Sequence, residues 1–258
     1  VLGCGVSNAV VGWFSMLAAA GYLMFAKALQ RYQPLANWQA PRRRPLVELL
    51  RLGVPMGFSN FVEISSFTLM ALFIAQLGAT VVAGHRIVAN LAALCYMLPL
   101  ALAIATLAQV GYNAGARDWP RAQASATAGL LLAGVLSTLL GGLLWLLAVP
   151  LTAAYSDDPA VRSVALGLLG YVAFYQLFDA VQTIAAHALR GYRITFIPML
   201  VHVVCFWGVG LGGGWVLAFT GSRPLGAAGF WLASLLGLVL ASILLSTLLR
   251  RALQWVEE

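Results

Sequence analysis

The chain has 258 residues, of which 62% are hydrophobic and only 9% charged, with a formal net charge of +7 and a mean hydropathy of +0.90. A soluble domain carries about 25% charged residues, so water is excluded as the solvent for most of this surface. Nor do the basic residues read as a nucleic-acid footprint, because they fall in short breaks between apolar runs with few aromatics interleaved.

A hydrocarbon slab about 30 Å thick takes roughly 20 apolar residues per crossing. In chain order the apolar runs predict about seven spanning helices, over residues 3–27, 49–76, 84–112, 122–149, 160–190, 194–219 and 225–249. The expected fold is therefore all-α, a polytopic integral membrane protein. The first run has no initiator Met and no basic stretch ahead of it, which is not the layout of a signal peptide; the expectation is a piece of something longer. Turn and cap residues punctuate the breaks: Pro34, Pro41 and Pro45 after the first run, Asp118-Trp119-Pro120, Asp157-Asp158-Pro159, and Gly221-Ser222-Arg223-Pro224. Pro99 and Pro198 are expected to interrupt or kink the third and sixth helices. Glycines in stretches such as Ala124 to Gly142 read as points of close helix approach. Cys4, Cys95 and Cys205 lie inside apolar runs without disulfide or zinc spacing and read as buried small hydrophobes.

Short cytoplasmic loops accumulate Lys and Arg. If the first helix runs inward, twelve of the fifteen basic residues fall on the cytoplasmic side, among them Lys27, Arg31, Arg42, Arg43, Arg44, Arg51, Arg117, Arg190 and Arg193. Only Arg86, Arg162 and Arg223 fall outside. The bias predicts an outside start and a cytoplasmic C-terminus.

The informative residues are those a bilayer excludes. Glu63 sits mid-run in the second helix and Asp179 within the fifth. At 1.5 Å rise per residue Glu63 lies about 18 Å from Arg51 and Asp179 about 17 Å from Arg190, so the two acids reach similar depth and are expected to face one cavity. A carboxylate there is costly unless paired, hydrated or protonated, which makes each a functional candidate. Tyr175, Asp179 and Gln182 form an i, i+4, i+7 stripe whose oxygens suit a hard cation or a proton. Aromatic faces from Phe67, Tyr96, Tyr175 and Phe178 suit an organic cation. Asn90 is a weaker cavity candidate, with helix-to-helix hydrogen bonding the simpler role. His85 and Arg86 are placed at the outer interface by snorkelling, and His187 and His202 read as lone histidines without metal spacing.

Several stretches together resemble the multidrug and toxic compound extrusion (MATE) family, in its NorM-type bacterial branch. They are Arg51-Leu52-Gly53-Val54-Pro55, the surroundings of Glu63, Ala83-Gly84-His85-Arg86-Ile87 through Asn90, Val110-Gly111-Tyr112, Tyr175-Gln176-Leu177-Phe178-Asp179, Leu189-Arg190-Gly191-Tyr192 and Gly226-Ala227-Ala228-Gly229-Phe230-Trp231. The resemblance implies a two-lobe transporter of twelve helices. Residues 1–30 would be the last helix of the first lobe, 31–48 a basic cytoplasmic inter-lobe linker, and 49–258 the six-helix second lobe. Glu63, Tyr175 and Asp179 match second-lobe residues associated with coupling to Na+ or H+. The implied function is cation-coupled antiport exporting amphipathic organic cations from the bacterial inner membrane, with membrane lipids and a missing N-terminal lobe as partners and no resident cofactor or metal. Arg86 departs from the uncharged polar residue of many relatives. Two other readings stand beside this one: a lipid-linked saccharide flippase, against which no Lys or Arg lies mid-helix, and a seven-helix receptor, for which Lys27 is misplaced as a retinal anchor. An enzyme is disfavoured by the lack of a catalytic constellation or phosphate loop.

Overall fold

A computed structural model of the protein describes residues 2–25, 42–220 and 224–254. All regular structure among them is helical: α1 (Leu2–Phe25), α2 (Arg43–Ala75), α3 (Ala79–Gly115), α4 (Trp119–Leu146), α5 (Ala148–Tyr155), α6 (Pro159–Gly191), α7 (Phe196–His202), a π-helical segment (Val203–Gly213), α8 (Gly214–Phe219) and α9 (Ala227–Gln254). Among the described residues seven stretches are long and apolar enough to cross a membrane, with α7 through α8 forming one of them. The chain divides into two compact units, Val1–Leu49 and Leu50–Glu258. The first holds α1 and the opening turns of α2, and the second holds the rest. Lys27, Arg31, Pro34, Pro41, Gly221, Ser222, Arg223 and the side chain of Cys4 lie outside the described residues.

The punctuation acts where expected. Asp118 caps α4 by accepting from the Arg121 amide at 3.2 Å, and Asp158 caps α6 by accepting from the Ala160 amide at 2.8 Å. In each case a proline follows within the first turn, where its missing N–H has no intrahelical partner to lose.

Three expectations shift. Residues 43–48, read as linker, already belong to α2, because Pro45 is tolerated in a first turn. The fourth apolar run is two helices, broken at Leu147 just ahead of Pro150, whose ring excludes a continuous helix. Pro198 likewise sits in the first turn of α7 and interrupts nothing. The irregularity of that span comes instead from the glycine-rich Val203–Gly213 segment. Its Phe206 carbonyl accepts from the Ser66 hydroxyl at 3.1 Å, and Trp207 donates to Ser65 at 3.0 Å. Pro99, expected to interrupt or kink its helix, lies inside α3 without interrupting it.

In the second unit α6 is the central post, with α3, α4 and α9 packed around it. Between Asp179 and Leu189 its buried residues run right round the helix, the signature of an element enclosed by its neighbours. One apolar cluster joins Val62, Met70, Val88, Leu168, Val172, Phe230 and Trp231, and another joins Val110, Ala185, Leu189, Leu245 and Leu249 near the opposite end. Glycines let these helices touch at particular points. A Cβ on Gly141 of α4 would run into the Ala173 carbonyl of α6, whereas Gly142 beside it faces open space. Cys205 is buried, and Cys95 is half-buried and packs against the first of these clusters.

Candidate functional site

A cavity of about 520 Å³ opens between α2, α3 and α6. Residues at spacings of three and four form its walls: Glu63, Phe67, Ala71 and Ala75 on α2, His85, Ala89, Ala92 and Tyr96 on α3, with Tyr175 and Asp179 from α6. Most of the lining is apolar, so the carboxylates stand out chemically. Asp179 is 4% exposed and Tyr175 3%, while Glu63 is half-buried. The Tyr175 ring is held edge-on between Phe67, at 6.2 Å, and Trp231, at 5.8 Å. The Tyr96 hydroxyl faces both the Glu63 carboxyl and the Thr183 hydroxyl.

Glu63 and Tyr96 also form the wall of a second, more polar pocket of about 220 Å³. There the Gln182 amide donates to Asp179 at 3.1 Å and to the Thr183 hydroxyl at 2.9 Å. Its carbonyl oxygen is then the acceptor for His202 Nε2–H at 3.2 Å, so His202 is held as that tautomer. His187 Nδ1 lies 2.8 Å from the Thr183 carbonyl, which can only accept. The proton is therefore on Nδ1, leaving Nε2 to accept from Arg190 at 3.4 Å. Arg190 also donates to Asn60 at 3.1 Å. Neither Glu63 nor Asp179 has an ion-pair partner within 4.0 Å among the described residues, whose salt bridges are Arg121–Asp118 and Arg162–Asp157.

Five of the residues singled out in the sequence thus meet in one cavity: Glu63, Phe67, Tyr96, Tyr175 and Asp179. Gln182 lies in the adjoining pocket and orients Asp179 from there. Phe178 packs, half-buried, against the apolar core outside the cavity lining. Asn90 also lies outside it, exposed, and accepts a hydrogen bond from the Tyr155 hydroxyl at 2.7 Å that ties α3 to α5. His85 does not snorkel to the surface as expected: it is 2% exposed and its ring lies 5.8 Å from Trp231. The reason is that α3 starts at Ala79 rather than residue 84, which places His85 well inside the helix. Arg86 next to it is exposed and edges the cavity.

Sequence reasoning missed Asn60, Thr183, His187, Arg190 and His202. For three of them a signal was present, since Thr183, His187 and Arg190 continue the stripe of Tyr175 and Asp179 along α6 at spacings of three and four. Arg190, read only as a cation at the helix end, turns back into the pocket beside Glu63.

Two carboxylates and two phenols converging in a mostly apolar slot can hold a monovalent cation or a proton, and the aromatic faces can hold an organic cation. The MatE family model matches residues 55–216, more than half of the chain, and that span carries Glu63, Tyr96, Tyr175 and Asp179. The chain belongs to the MatE family. This MatE chain is 56% identical over 252 residues to a probable multidrug resistance protein NorM of Aromatoleum aromaticum, covering 96% of the chain and 54% of that protein. It is 32% identical over 260 residues to the multidrug resistance protein NorM of Vibrio cholerae, covering 100% of the chain and 56% of that protein. The chain spans about half the length of the curated relatives it matches. Among solved structures, an outward-facing multidrug resistance MATE family transporter of the MOP superfamily superposes with a TM-score of 0.83 at 15% identity, over 95% of this chain and 55% of that one. That likeness establishes a shared fold. With seven membrane-length helices and this membership, the MatE chain is a multi-pass membrane protein.

Proposed function

We propose that this chain is part of a multidrug exporter, contributing the lobe in which an inward-moving Na+ or H+ is exchanged for an outward-moving amphipathic organic cation. One observation carries the reading: Glu63 and Asp179, on separate helices and with no ion-pair partner within 4.0 Å among the described residues, line the same largely apolar cavity. An unpaired carboxylate at that depth is costly, so binding a cation or a proton relieves a penalty already built into the fold. Only one class of positive charge need be present at a time, and competition between ion and drug for the same acids couples their movements.

In this reading Glu63 and Asp179 take the ion, Tyr175 offers its oxygen or its ring, and Phe67 and Tyr96 supply faces for the organic cation. Gln182 keeps Asp179 turned toward the cavity. Alternating access requires a second lobe to rock against this one, which fits a chain about half as long as its relatives. The Arg and Lys distribution supports a bacterial inner membrane orientation with the C-terminus in the cytoplasm.

The test is Asp179→Asn in the protein that contains this chain together with its first lobe. Efflux of a fluorescent organic cation should fall to background while the amount in the membrane is unchanged. Undiminished efflux would remove Asp179 from the coupling role.

A further inference from the structure

At the end of the bundle away from His85, α3 and α6 stop in the same way. The Asp118 amide donates to the Asn113 carbonyl at 2.9 Å and the Arg117 amide to Ala114 at 3.1 Å; the Ile194 amide donates to Leu189 at 2.9 Å and the Arg193 amide to Arg190 at 3.0 Å. Both are Schellman motifs, in which the residue after the cap turns left-handed and is ordinarily glycine. Here it is arginine twice, Arg117 with φ 60° and Arg193 with φ 62°, and these are the positive-φ non-glycine residues among the described ones. A side chain kept at a position that favours its absence points to a use for that side chain.

The two arginines line one cavity of about 420 Å³, together with Trp119, Tyr192 and, from α9, Ala252. Neither guanidinium has a hydrogen-bonding or ionic partner among the described residues; the nearby Asp118 is engaged by Arg121. Tyr192 lines the hollow with its ring, which packs on the apolar cluster of Val110 and Leu249, while its hydroxyl is buried away from the opening. The remaining wall is small and apolar, with Gly111, Ala114 and Gly115 leaving the room. Arg193 also edges a neighbouring hollow that contains Arg51. Two guanidiniums without partners among the described residues, beside an indole and between apolar walls, match a phosphodiester whose glycerol and acyl chains run along the helices.

We propose that Arg117 and Arg193, with Tyr192 and Trp119, form a site for the headgroup of an anionic glycerophospholipid in the leaflet at the α3 and α6 C-terminal ends. It is separate from the cavity of Glu63 and Asp179 and independent of what that cavity transports.

The probe is dibrominated phosphatidylglycerol, a lipid-borne quencher of indole fluorescence, in vesicles otherwise of phosphatidylcholine. The protein carrying this chain is reconstituted as wild type and as Trp119→Phe, and the difference isolates quenching at Trp119. Near-surface arginines give roughly fivefold preference each, so the pair should favour the anionic lipid over brominated phosphatidylcholine by about twenty-five-fold. The variant that removes the preference is Arg117→Gly with Arg193→Gly, which suits the left-handed turns and so keeps both helix ends. Loss of the preference in that variant, with Trp119→Phe still reporting an intact indole difference, supports the site. Equal quenching by both brominated lipids, or an undiminished preference in the double glycine variant, overturns it. Relief of quenching by millimolar inorganic phosphate also overturns it, because the hollow would then take a soluble phosphate rather than a lipid.

Discussion

Replacing Gln182 by Met keeps the length of the side chain and removes every hydrogen bond it makes. Three bonds are lost: donation to Asp179 at 3.1 Å, donation to Thr183 at 2.9 Å and acceptance from His202 at 3.2 Å. The Thr183 hydroxyl can turn to its own helix backbone, as threonines do on helices, but the His202 N–H cannot, because that ring is 2% exposed. Hydrogen bonds between groups at membrane depth measure about 1 kcal/mol, so the variant should be destabilised by about 2–3 kcal/mol. His202→Phe alone loses only the bond to Gln182 and keeps its edge contact with Phe206, at 5.5 Å between rings. A double-mutant cycle over Gln182→Met and His202→Phe, read from unfolding in detergent, should therefore return a coupling energy of about 1 kcal/mol. Under the role proposed above for Asp179, loss of its orienting amide should also weaken ion binding about tenfold, as is usual when a group that positions a ligand is removed. Strictly additive losses in the cycle, or a Gln182→Met protein as stable as wild type, would refute the network.

Gly141→Leu should destabilise the bundle by about 1–3 kcal/mol, since its side chain would enter the space of the Ala173 carbonyl; Gly142→Leu, facing open space, should stay within about 0.5 kcal/mol in the same thermal melt. Tyr155→Phe and Asn90→Ala each remove the exposed bond between α5 and α3 at a cost of about 1 kcal/mol or less. Because that bond lies outside the cavity lining, efflux by the proposed exporter that contains this chain should stay within about twofold of wild type with either variant.

The helical class and the number of crossings were legible because hydrocarbon demands long apolar runs and the breaks between them are written in Asp, Pro and Gly. Glu63 and Asp179 were legible for the complementary reason that a bilayer tolerates few carboxylates. What the sequence hid was direction. His85 looked interfacial because the apolar run begins at residue 84, while the helix is extended backward by Ala79-Thr80-Val81-Val82-Ala83. Phe178 and Asp179 are neighbours in sequence, yet only Asp179 faces the cavity, since adjacent helical residues point about 100° apart. Arg190 looked like an end-of-helix cation because position along the chain says nothing of a long side chain folding back toward Asn60. The π segment was invisible as such: a run of glycines permits several backbone windings, and the choice is made by Ser66 and Trp207 contacts from distant sequence.

The lengths of α3 and α6 have a mechanical consequence. With 37 and 33 residues they measure about 55 Å and about 50 Å, against about 30 Å of hydrocarbon. Even at a tilt of about 40° each still projects roughly 8–12 Å past the acyl region. Such rods meet a change in bilayer thickness by tilting rather than by stretching. Tyr96 rides on one and Asp179 on the other, so the thickness of the surrounding membrane reaches two walls of the cavity before any solute enters it.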